Sequence, residues 1–229
     1  MAQSNLRKRN APVFFAVALV LVGYPAFRMA IAYSEIASIE PGAAAWWSLW
    51  GVMLVGHWFC AAIVLAALAG EKASLADIGF DHYQFVRWRG VILIILMAAI
   101  FAALFAPAYF YGDAPPERMQ SHPLGPVTSA QRVFWIAMAV TAGFVEEIVF
   151  RGYAITRLRR FIGLPGAITV SVLSFTFMHG PSAFDPKFAA LYIVSGAFFA
   201  CLFVAMKCKR LEYLVMIHTA IDLTLVAAP

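Results

Sequence analysis

Long apolar runs alternate with short polar connections along the whole chain. The runs lie at about residues 12–33, 43–69, 90–111, 132–152, 164–180, 188–206 and 211–228. Each is set against the roughly 20 helical residues that cross a bilayer, and helices are the default because an open sheet edge does not survive in lipid. The pattern predicts an all-α, polytopic membrane helix bundle of about seven transmembrane helices, a single membrane domain over 1–229. The fifth run is the shortest and is open to a partly re-entrant path. The first follows Arg7-Lys8-Arg9, like a signal peptide, but its apolar part is long and no small-residue cleavage site stands out. It reads as a retained anchor behind a tail at 1–11. Loops 70–89 and 112–131 carry Pro, Gly and charge and could each hold a short interfacial helix.

Composition supports the bilayer as solvent. Of 229 residues, 63% are apolar and 13% charged, against about 45–50% and 25% in a soluble domain. The net charge of +5 comes from basic clusters beside the apolar runs. One set of connections carries Arg7, Lys8, Arg9, Lys72, Arg87, Arg89, Arg151, Arg157, Arg159, Arg160, Lys207, Lys209 and Arg210; the other carries Arg118, Arg132 and Lys187, with Arg28 inside the first run. By the positive-inside rule the N-terminus is cytoplasmic, and with seven spans the C-terminus is outside. The charge is thus topological, and no nucleic-acid partner is expected. Cys60, Cys201 and Cys208 show no paired or metal-binding spacing.

Ionisable groups inside lipid are costly, so each is a functional-site hypothesis. Of the acidic residues and histidines, six remain after loops and margins are removed: Glu146, Glu147, Asp222, His57, His179 and His218. Glu147 and Arg151 share one helix face, which suits an ion pair. Glu146 has no cation at i+3 or i+4, so a dry site would leave it suited to proton transfer. Glu146 lies 17 residues before Gly163 and His179 lies 16 after it. Two antiparallel helices meeting at that turn would bring carboxylate and imidazole to one depth, able to hold a water between them. His218 and Asp222 repeat the four-residue spacing: Asp222 either satisfies a core histidine or adds a third wall to the pocket. His57 lacks a local acid and reads as a packing or interhelical hydrogen-bond residue. The HExxH, GxGD and GxSG signatures are missing from the sequence. A Glu/His/His/Asp set with no obvious nucleophilic Ser or Cys favours an activated water.

At these residues the chain resembles the CPBP family, the CAAX protease and bacteriocin-processing or Abi family, related to the Ras-converting prenyl-protein endopeptidases. The motifs that carry the resemblance are Glu146-Glu147…Arg151, Phe175…His179 and His218…Asp222, in order and on separate apolar runs. It covers about residues 130–224. The resemblance implies a glutamic-type intramembrane endopeptidase in a prokaryotic inner or plasma membrane. Its substrate would be a membrane-embedded or membrane-associated peptide or protein, lipidated or bearing a sorting tail. Glu146 and His179 would activate water, His218 and Asp222 would stabilise the oxyanion, and Glu147, Arg151 and Phe175 would support the site. Asp222 stands where the prenyl-processing branch usually has Asn, so it either stays protonated as a donor or orients His218. No cofactor is implied; the second mechanism is a zinc site on two His and one Glu. The competing functions are a non-catalytic peptide-binding or bacteriocin-immunity member of the family and, further off, a proton-coupled transporter.

Overall fold

In the computed structural model, residues 15–33, 43–80 and 128–227 are described, together with positions 13, 92 and 126. The tail at 1–11, the third apolar run apart from position 92, and most of the loop at 112–131 lie outside them.

Every regular element among the described residues is helical. Helix α1 is α-helical at residues 15–18, passes through a π-helical turn, Leu19–Gly23, and continues as the α-helix Tyr24–Tyr33. The widened turn comes just before Pro25, which has no N–H to give to the carbonyl one turn back, and Tyr24 N–H bonds the Leu19 carbonyl instead. Helix α2 is Ala43–Gly70. A short 3-10 turn follows at Leu75–Ile78. Helix α3, Ser129–Glu146, begins at a capping box in which the Thr128 side chain accepts from Gln131 N–H and Gln131 returns the bond. It runs directly into a π-helical segment, Glu147–Ile155, and then into α4, Thr156–Phe177. Helix α5 is Pro186–Ala205, with Asp185 as its cap, and α6 is Leu211–Ala227.

The fourth and fifth apolar runs form one hairpin. Gly163 sits at φ 71°, ψ 171°, breaking α4 near its start, a backbone conformation open to glycine and costly for other residues. Twenty-one residues of straight helix would span about 31 Å, yet Ser171 Oγ donates to the Phe150 carbonyl at 2.7 Å. The chain therefore doubles back, and the second arm of α4 lies along the π segment.

Among the described residues, three stretches are long and apolar enough to cross a membrane: Trp46–Gly70, Ser129–Phe177 and Pro186–Ala205. Large apolar side chains face outward, among them Phe15 at 71% and Val55 at 68% exposure, as suits a lipid solvent and not water. Inside, Val20, Val64, Ile148, Tyr153, Phe203 and Leu214 belong to one core linking all six helices. Helices α3 and α6 approach closely at Gly143: a Cβ there would run into Thr219 Oγ1 and stand 2.8 Å from Thr219 N. That contact sets His218 against the end of α3.

Candidate active site

All nine residues of the π segment are buried. π-Helical turns are rare and recur at functional sites, and this one starts between the two glutamates. Glu147 Oε1 accepts from Arg151 Nη1 at 2.9 Å, with exposures of 0% and 1%. Arg151 is sandwiched between rings, its guanidinium carbon 4.3 Å from the Phe175 centroid and 5.3 Å from that of Phe199. Phe175 thus supports the site by packing on the cation that neutralises Glu147.

His218 of α6 joins both glutamates. Its Nδ1 lies 2.9 Å from Glu147 Oε1, and its Nε2 stands 3.8 Å from Glu146 Oε2 and 3.7 Å from Asp222 Oδ2. A carboxylate only accepts, so Nδ1 carries a hydrogen toward Glu147. The two longer distances exceed a hydrogen bond and leave Nε2 facing a gap bounded by Glu146 and Asp222.

Glu146 is held from the other side by a residue that its sequence neighbours do not reveal. His57 Nε2 of α2 lies 3.1 Å from Glu146 Oε1. His57 Nδ1 is 2.8 Å from both the Met53 carbonyl and the Tyr24 hydroxyl. The carbonyl requires a hydrogen on Nδ1, so the contact with Glu146 holds one further proton, on Nε2 or on Oε1. Oε1 is thereby occupied, while Oε2 has no hydrogen-bond partner among the described residues.

His179 follows the end of α4 and packs on Phe175, the ring that also lies beside His218. Its Nδ1 lies 2.8 Å from the Phe175 carbonyl, which fixes the hydrogen on Nδ1 and leaves the Nε2 lone pair free. The ring stacks on Tyr192 of α5 with centroids 3.8 Å apart. It makes no hydrogen bond to Glu146 but lies within its electrostatic reach. The hairpin at Gly163 supplies that proximity.

The structure thus gathers Glu146, Glu147, Arg151, Phe175, His179, His218 and Asp222 around one buried point and adds His57 and Tyr24. Among the described residues, no three His, Cys, Asp or Glu side chains converge as metal donors do. His57 and His218 each turn Nε2 toward a Glu146 oxygen, so these rings address the carboxylate and not a shared ion.

Helices of this length and apolarity, with a paired, buried set of carboxylates and imidazoles between them, define an integral membrane protein with a polar intramembrane site. Residues 128–224 match the family model of type II CAAX prenyl endopeptidase Rce1-like proteins. The matched part holds every site residue named above except His57 and Tyr24. No curated protein and no solved structure matches the chain.

Proposed function

We propose that the protein is an intramembrane endopeptidase that hydrolyses a peptide bond of a membrane-associated, lipidated or sorting-tail substrate with a water activated by Glu146 and His179. One observation carries this reading: Glu146 has one oxygen held by His57 and the other without a hydrogen-bond partner among the described residues, while the bond from Nδ1 of His179 to the Phe175 carbonyl leaves that ring's Nε2 lone pair able to accept from a water. A water between the two gives one hydrogen to Glu146 Oε2 and the other to His179 Nε2, turning its own lone pairs toward a carbonyl carbon. Glu146 takes the proton as the oxygen attacks, forming a tetrahedral oxyanion. The proton passes to the leaving nitrogen, the C–N bond breaks, and a carboxylic acid, which loses its proton to water on release, and an amine leave.

His218 and Asp222 bound the far side of the gap and serve the oxyanion. Nδ1–H of His218 is committed to Glu147, so Nε2 can donate only when the ring carries both hydrogens; three nearby carboxyl groups and Arg151 set the field in which it does so. Asp222 donates only in its protonated form. Glu147 and Arg151 hold His218 and the π segment in place.

The experiment is a comparison of membrane and exported proteins in cells carrying the wild-type chain or Glu146→Gln. Proteins that shorten only with the wild type are the substrates. An identical size pattern in both would remove the enzyme reading in favour of a peptide-binding member.

A further inference from the structure

Arg28 is an intramembrane cation that takes no part in the contacts around Glu146. It lies on α1, four residues after Tyr24 and on the same face. Its Nε donates to the Met178 carbonyl at 3.0 Å, and Nη1 lies 2.5 Å from Met53 Sδ. Both partners are neutral. Among the described residues no carboxylate pairs with it, and the side chain is only half-buried. The side chain also bonds that of Tyr24, again a neutral group; a guanidinium has five N–H donors in a planar fork, so part of this fork remains for an anion. A charge at this depth without a counter-ion is costly and marks a place where an anion belongs.

Its surroundings say which anion. Met178 precedes His179, and Met53 is the residue whose carbonyl binds His57. Arg28 therefore adjoins both histidines of the proposed water site and lies within electrostatic reach of His179. One helical turn, about 6 Å, separates it from Tyr24, whose hydroxyl reaches His57. An extended peptide covers about 3.3 Å per residue. A chain with its scissile carbonyl at the proposed water site and its remaining residues running along this face of α1 would bring its end to Arg28 within a few residues. CAAX sequences are C-terminal, so such substrates end in a free carboxylate a few residues beyond the modified cysteine.

We infer that Arg28 binds the α-carboxylate at the C-terminus of the peptide substrate, fixing how many residues lie beyond the cut. The inference rests on the endopeptidase reading above. Carboxylate and guanidinium match as a bidentate pair, and a charge-assisted hydrogen bond of this kind corresponds to about a tenfold to hundredfold effect on binding. A phosphate of an anionic lipid would satisfy the same fork, so the test separates the two.

Two membrane peptides identical except for a free or an amidated C-terminus are incubated with the purified protein in phosphatidylcholine vesicles, with and without phosphatidylglycerol. The wild type should cleave the free acid with a kcat/KM at least tenfold above the amide, chiefly through KM, in both lipids. Arg28→Gln should bring that ratio close to one. Arg28→Lys, which keeps the charge but loses the fork, should show an intermediate ratio and serves if Arg28→Gln does not accumulate. An equal rate on acid and amide in the wild type overturns the inference while leaving the endopeptidase reading intact. So does a preference retained in Arg28→Gln, or unchanged in Arg28→Lys if that is the variant tested; Arg28 then only caps the Met178 carbonyl. A rate that follows anionic lipid and not the peptide terminus assigns the fork to phosphate and also overturns it. Failure to cleave either peptide defeats the endopeptidase reading itself.

Discussion

His57 Nε2 lies 3.1 Å from Glu146 Oε1, across 89 residues of sequence and between two helices. This contact decides which carboxylate oxygen is free to act. Without it Glu146 can rotate toward His218, closing the gap that the water needs. His57→Phe should lower kcat by about a hundredfold, the order expected when a reacting group is misplaced by an ångström, with KM little changed. Tyr24→Phe removes only the hydroxyl behind His57 and should have a smaller effect. Steady-state kinetics on both variants, alongside thermal unfolding, would check this; a normal kcat in folded His57→Phe would show that Glu146 needs no such support.

Glu147 has a different task from its neighbour. Removing its charge leaves Arg151, 1% exposed, without an anion. Glu147→Gln should destabilise the fold by about 3–5 kcal/mol, seen as a loss of folded protein. Replacing both members, Glu147→Gln with Arg151→Met, should recover much of the yield, because a buried pair exchanged for neutral groups costs far less than a broken one. Good accumulation of Glu147→Gln alone would argue against a structural pair.

Asp222 tests the oxyanion side. As a neutral donor, it should be replaced by Asn with activity kept or raised, and the fall in rate at high pH should flatten because Asn does not ionise. As a carboxylate that supports a charged His218, 3.7 Å away, it should lose activity on the same change, most of all near neutral pH. The donor role predicts the first outcome. A pH–rate profile of Asp222→Asn that is flat at zero would refute it.

The helical membrane fold, and several of the residues that meet in the candidate site, were legible from sequence for one physical reason: polar groups inside lipid are few and must be used. Glu146, His179, His218 and Asp222 stood out against apolar neighbours. The four-residue rule also placed Glu147 and Arg151 on one face. The same rule hid His57, whose partner comes from another helix, and it gave no sign of Tyr24, an ordinary residue in an apolar run. The π-helical segment at Glu147–Ile155 also left no mark in the apolar pattern, since a widened turn changes which neighbours meet without changing composition. The approach of α3 to α6 depends on Gly143 and its fit against Thr219, a contact that spacing alone does not encode.

Metal chemistry and carboxylate chemistry predict different responses to chelation. Because the rings of His57 and His218 face Glu146 and not a common point, activity of the purified protein should survive a membrane-permeant chelator. Loss of activity on chelation, restored by zinc, would replace the glutamic mechanism with a metal-assisted one.

The central claim is that Glu146 takes the proton from the attacking water. The most direct measurement is the single-turnover cleavage rate of a membrane peptide by purified wild type and Glu146→Gln in the same vesicles, with unfolding temperatures matched. Gln keeps the size and one acceptor oxygen but is not a base. The account predicts a drop of about 10²–10⁴-fold in rate with the fold intact. A folded Glu146→Gln that cleaves within tenfold of wild type would contradict it.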